Sequence, residues 1–257
     1  MLKDWREERT IMMKLYKKSE ITFAIMLILA YMVFSSLADQ LSEFVGVFKS
    51  VTAAVHIAMA LVLFFWIRNN DLSIKYGFCR VKIPAKRFLY YLPLIIIASA
   101  SLWRGIGPQY NFPEILFFII SMCCVGFLEE VFFRGLLFRA MEKDNLKKAV
   151  IVSALTFGLG HIVNFFNGSG QDLASTIVQI IFAILIGFVL VLIFIHGKSL
   201  LPCILFHSAN NALSSFAAEE TIRPQAEKPV DFLLVIMVLG SYLFYLARIF
   251  PRKADLF

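Results

Sequence analysis

Long apolar segments recur along this chain at about 21–38, 45–67, 88–102, 114–138, 149–166, 173–195, 200–217 and 231–249. A helix needs roughly 20 apolar residues to cross a hydrocarbon core about 30 Å thick. The pattern therefore predicts an all-α, polytopic membrane bundle of about eight transmembrane helices. The third segment is short and carries Pro93. Composition points the same way: 60% of the 257 residues are hydrophobic and 27 are phenylalanine, too apolar for a soluble domain. Residues 1–20 are polar and basic and lead straight into the membrane segments, so no cleavable signal peptide is expected. No repeat, low-complexity tract or long linker divides the chain, and residues 1–257 are read as one transmembrane domain. Cys79, Cys123, Cys124 and Cys203 form no CxxC pair or disulfide framework and read as reduced thiols.

The net charge of +7 raises the question of nucleic acid. Its distribution answers it. With the N-terminus in the cytoplasm, 20 of the 25 Lys and Arg residues fall on the cytoplasmic side, and the opposite side holds Arg104, Arg223 and Lys228. Lys49 and Arg134 fall inside predicted spans. This is the positive-inside bias of a membrane protein, with the lipid bilayer and not nucleic acid as partner. Both termini are expected in the cytoplasm, with residues 1–20 a basic cytoplasmic N-terminus.

Within the apolar stretch "CCVGFLEEVFFRGLLFR" (Cys123–Arg139) stand Glu129, Glu130 and Arg134. Charged groups at mid-membrane cost about 2.5–3.5 kcal/mol each on insertion scales, and such residues mark function. At about 100° per residue, Glu130 and Arg134 share a helix face while Glu129 points roughly 140° from Arg134. Glu130 is thus the partner of Arg134, and Glu129 lacks one on its own helix. The next span holds "FGLGH", with Phe157 and His161 on one face, and the seventh holds "HSANN", with His207 and Asn211 on one face. By helical rise, Glu129 lies roughly 15 Å from Arg139, His161 roughly 20 Å from Lys148 and His207 roughly 13 Å from Lys198. These depths predict a common cavity between the cytoplasmic interface and the midplane. His56 reads as structural and His196 as a snorkelling or capping group at a span end. "NGSGQD" (Asn167–Asp172) reads as a turn on the far side.

A carboxylate beside an imidazole can act as general base towards water, and burial is expected to poise such a glutamate for proton transfer. A second histidine and an asparagine amide can donate to a developing oxyanion. Together these groups describe amide hydrolysis within the membrane. The same Glu, His and His also suit a divalent metal such as zinc that activates the water. HExxH, a GxSG serine motif and paired intramembrane aspartates are absent, which disfavours zincin, serine and aspartyl mechanisms.

"EEVFFR", "FGLGH" and "HSANN" match, in order and on successive helices, the EExxxR, FxxxH and HxxxN motifs of the CPBP intramembrane proteases. That family includes type II CAAX prenyl endopeptidases and bacterial bacteriocin-processing or immunity (Abi) proteins. The resemblance covers roughly residues 114–216. It implies an intramembrane glutamic endopeptidase in which Glu129 and His161 activate water and His207 and Asn211 stabilise the oxyanion. Glu130, Arg134 and Phe157 would support the site, with no cofactor required by the glutamate-water reading. It also implies a cavity open to the cytosol. Eukaryotic relatives act on prenylated CAAX substrates. This short chain looks bacterial, resident in the cell membrane, where a membrane-associated leader peptide, quorum-sensing precursor or membrane protein is the expected substrate.

Two other classes remain. A non-proteolytic immunity factor or regulator, binding a membrane partner such as a sensor kinase, would survive Glu129→Gln. A proton-coupled transporter would also use Glu and His at mid-depth, but repeated halves and broken helix pairs are lacking.

Overall fold

A computed structural model describes residues 11–103, 105–107, 110–166, 171–218 and 228–249. The first ten residues of the basic N-terminus, most of the "NGSGQD" turn, and Arg104 and Arg223 lie outside the described residues. An amphipathic α1 (Ile11–Lys18) precedes α2 (Glu20–Val45), α3 (Ser50–Asn69) and α4 (Phe88–Ala98). Then follow α5 (Phe112–Glu142), α6 (Leu146–Phe166), α7 (Leu173–Gly197), α8 (Leu201–Leu213) and α9 (Lys228–Arg248). The termini of the helices carry the signals that start and stop them. The side chains of Ser19, Asn111, Asn145 and Asp172 accept from the backbone N–H three residues on, capping α2, α5, α6 and α7. Gly46 closes α2 in the left-handed region at φ 76°.

Each of the eight apolar segments holds a helix, and α2, α3, α5, α6, α7 and α9 are long and apolar enough to cross a membrane. The protein is an integral membrane protein. The other two, α4 and α8, have 11 and 13 residues, short of the roughly 20 a crossing needs. Their continuations explain the shortfall. α4 carries Pro93 and runs into a 3₁₀ turn at Ala100–Leu102, while α8 ends in one at Ser214–Phe216. The two tails then bond to each other: the Gly107 N–H donates to the Phe216 carbonyl at 3.0 Å and the Ala218 N–H to the Gly105 carbonyl at 3.1 Å. Irregular backbone is tolerated at this depth because it is satisfied within the protein.

Consecutive helices alternate in direction, so the bundle has two ends. One carries the 70–87, 143–145 and 198–200 connections and most of the basic residues. There Lys75 pairs with Glu20 at 2.7 Å and the Lys82 N–H reaches the Gly197 carbonyl. At the other end Lys49 stands in the turn before α3 rather than inside a span, paired with Asp39 at 2.7 Å.

Two close crossings place the motif helices. A Cβ on Gly158 of α6 would sit 2.8 Å from the Ile184 backbone nitrogen of α7, and one on Gly187 of α7 3.1 Å from Ala154 Cα. Likewise a Cβ on Gly126 of α5 would stand 2.7 Å from the Ser208 backbone nitrogen of α8. Only glycine lets these backbones approach so closely. α5 itself is irregular. Residues Val131–Phe138 form a π-helical segment, every residue of which is buried, with Arg134 in its middle. Such segments recur at functional sites.

Candidate active site

From the middle of the π-helical segment, Arg134 Nη1 donates to Glu130 Oε1 at 3.1 Å, both side chains fully buried. The same-face pairing expected from spacing is therefore present. The guanidinium carbon lies 4.2 Å above the Phe157 ring, and Nη2 donates to the Gly187 carbonyl at 3.4 Å. Phe157 then connects the motifs. Its ring stands edge-on to His161 at 5.4 Å, to His207 at 5.6 Å and to Phe133 at 5.3 Å.

His207 spans both carboxylates. Its Nδ1 is 2.8 Å from Glu130 Oε1 and its Nε2 is 3.6 Å from Glu129 Oε2. A carboxylate already bound to arginine can only accept, so Nδ1 carries a proton and Nε2 faces Glu129. Glu129 points away from Arg134, as its angle predicted. Its Oε1 accepts from the Tyr31 hydroxyl of α2 at 2.7 Å. His161 sits where α6 is interrupted by a turn at 161–162, with Nδ1 3.0 Å from the Phe157 carbonyl. A carbonyl only accepts, so Nδ1 donates and the neutral ring turns a lone pair outward at Nε2. Asn211 accepts from Asn210 Nδ2 through Oδ1 at 3.2 Å, which reserves its own N–H groups for another acceptor.

Glu129, Phe157, His161, His207 and Asn211 line one cavity of about 1190 Å³, together with Tyr31 and His56. Glu130 and Arg134 lie beneath its wall. His56 is held on both sides by serines, Nε2 at 2.9 Å from Ser35 Oγ and Nδ1 at 2.9 Å from Ser121 Oγ, in keeping with a structural role. His196 meets the Tyr90 hydroxyl at 3.3 Å, remote from the cavity. Cys123 is exposed, and neither it nor Cys124 lines the cavity. Among the described residues no group of three or more His, Cys, Asp and Glu side chains is placed to hold a metal ion.

Sequence reasoning missed Tyr31, an ordinary tyrosine in an apolar helix 98 positions from its partner. The cavity lining runs from Phe133 and Phe157 to Asp39, Lys49, Asn164, Ser175 and Asp231.

Residues 111–213 match the family model described as type II CAAX prenyl endopeptidase Rce1-like. Over this segment the chain is similar to the type II CAAX prenyl endopeptidases. The Rce1-like segment holds all three motifs and every site residue above except Tyr31 and His56, which α2 and α3 contribute from outside it. No curated protein and no solved structure matches the chain.

Proposed function

We propose that the protein is an intramembrane endopeptidase that hydrolyses a peptide bond in a membrane-associated peptide or protein through a water activated by Glu129. The observation that carries this reading is the convergence of Glu129, His161, His207 and Asn211 on one cavity, with His207 between the two carboxylates. Glu129 accepts the proton of the attacking water, while His161, its lone pair fixed at Nε2, orients that water or takes up its second hydrogen bond. As the carbonyl becomes tetrahedral, the Asn211 amide and His207 Nε2–H donate to the oxyanion. Donation from both ring nitrogens requires the imidazolium form of His207 at this step; the Glu130 carboxylate balances that charge, and Arg134 fixes the carboxylate. Collapse of the intermediate passes the proton on Glu129 to the leaving amine, which restores the carboxylate.

Each imidazole has its Nδ1 occupied, by Glu130 in His207 and by the Phe157 carbonyl in His161, which leaves Nε2 as the working nitrogen of each ring. No step is assigned to a metal. A bacterial cell membrane with both termini cytoplasmic is the setting this reading takes. The test is direct. Purified protein in proteoliposomes should cleave members of a membrane-anchored peptide library, and Glu129→Gln and His161→Ala should each abolish cleavage while keeping the wild-type melting temperature. Equal cleavage by Glu129→Gln would remove the glutamate from the mechanism.

A further inference from the structure

A peptide that enters this cavity takes its main-chain groups out of water, and a carbonyl that then finds no donor is costly. On the α7 wall one side chain can meet that need. The wall is made of Ala174, Ser175, Val178, Gln179 and Phe182. Ser175 commits its hydroxyl to Asp172 at 2.6 Å, and the side chains of Ala174, Val178 and Phe182 carry no donor. That leaves Gln179.

The hydrogen bonds of Gln179 fix which way its amide points. Asn164 Nδ2 donates to Gln179 Oε1 at 3.0 Å, and Gln171 Nε2 donates to the same oxygen at 3.0 Å. An amide oxygen has two lone pairs, so this one is filled. Among the described residues no acceptor takes the two hydrogens on Gln179 Nε2. The side chain is half-buried and lines the cavity, so its NH2 group is available to an acceptor there. Asn211 is arranged likewise, its oxygen taken by Asn210 Nδ2 at 3.2 Å.

Gln179 is also close to the proposed chemistry. Asn164 belongs to the interrupted end of α6, and its backbone N–H donates to the His161 carbonyl at 3.0 Å. Two hydrogen bonds therefore connect Gln179 to His161, and all three residues line the cavity.

We infer that Gln179 is a substrate-binding residue, whose amide N–H donates to a main-chain carbonyl of the peptide near the scissile bond while Asn211 and His207 receive the oxyanion. The inference rests on the endopeptidase reading. It also defines the substrate more closely. A carbonyl within a helix is already bonded to the N–H four residues on, so the stretch that Gln179 holds is unwound and extended. Because the contact is with the main chain, it selects extended polypeptide over a helical span and tolerates many sequences.

The test is steady-state cleavage of the membrane-anchored peptide library in proteoliposomes by wild type, Gln179→Glu and Gln179→Leu, each with a melting curve. Assayed well above the ordinary carboxylate range, Gln179→Glu still accepts from Asn164 and Gln171 but has nothing to donate. Its KM should rise about two- to tenfold, the range of one neutral hydrogen bond, with kcat and melting temperature at wild-type values. The rise should be similar for peptides that differ in the residues flanking the cleaved bond. Gln179→Leu, which also removes the acceptor of Asn164 and Gln171, should add a fall in kcat. An unchanged KM for Gln179→Glu overturns the inference. A lowered kcat with normal KM overturns it too, and makes Gln179 a positioning residue for His161. A KM effect confined to peptides with one type of flanking residue shows recognition of a side chain and overturns the main-chain contact. If wild type cleaves no peptide, the endopeptidase reading itself fails and this assignment fails with it.

Discussion

Replacing Tyr31 by phenylalanine removes one oxygen from the site and leaves its packing intact. The ring would keep its contacts with Phe132 at 5.6 Å and His56 at 5.7 Å. What is lost is the 2.7 Å hydrogen bond to Glu129 Oε1. The other charged neighbour of Glu129, His207 Nε2 at 3.6 Å, is beyond hydrogen-bond distance, so Tyr31 is the group that aims the carboxylate. Loss of aim lets the base leave its attacking geometry. A hydrogen bond to a charged group contributes about 1.5–3 kcal/mol. If positioning dominates, that energy is lost from the transition state, and at about 1.4 kcal/mol per decade kcat falls roughly ten- to a hundredfold. The assay is steady-state cleavage in proteoliposomes with a parallel melting curve. We expect kcat to fall with KM and melting temperature unchanged. An unchanged or raised kcat would refute the positioning argument, and a lowered melting temperature with normal kcat would make Tyr31 a packing residue.

Three further outcomes follow from the same geometry. Gly158→Ala should destabilise the protein by about 1–3 kcal/mol, because a Cβ there meets the α7 backbone at 2.8 Å, whereas Gly160→Ala, which meets nothing within 4 Å, should melt like wild type. Arg134→Leu should cost about 3–5 kcal/mol in unfolding experiments by stranding the buried Glu130 charge, and an unaltered melting curve would show that the pair does not hold the helices. Asp172, exposed at the start of α7, has its carboxyl pulled below the usual range by hydrogen bonds from the Ser175 side chain and backbone. Its stabilisation is present above the ordinary carboxylate range and disappears as pH falls through the lowered value. Asp172→Ala should therefore melt below wild type at neutral pH and coincide with it in strong acid.

Much of the site was legible because charge in an apolar run is conspicuous and helical spacing is regular. The pairing of Glu130 with Arg134 and the separate direction of Glu129 followed from angles alone. Two turns of reasoning were out of reach. Tyr31 bonds across 98 positions from a helix with no other polar signature at that level, and no local pattern reveals such a pair. The π-helical segment, which packs against α2 and α6, is not encoded in sequence periodicity. His207, expected to stabilise an oxyanion, also stands 2.8 Å from Glu130 and 3.6 Å from Glu129, a proximity that helix angles do not reveal. The spans at 88–102 and 200–217 were apolar enough to suggest full crossings. Their tails instead pair with each other, an arrangement fixed only in three dimensions.

The central claim is that Glu129 makes this protein a protease. Its most direct test compares peptide termini in membranes and medium from cells expressing wild type, Glu129→Gln or His161→Ala at matched levels. The account predicts a defined set of termini present with wild type and missing with both variants. If both variants keep the wild-type set and also rescue the phenotype of cells lacking the protein, hydrolysis is contradicted and a binding role takes its place.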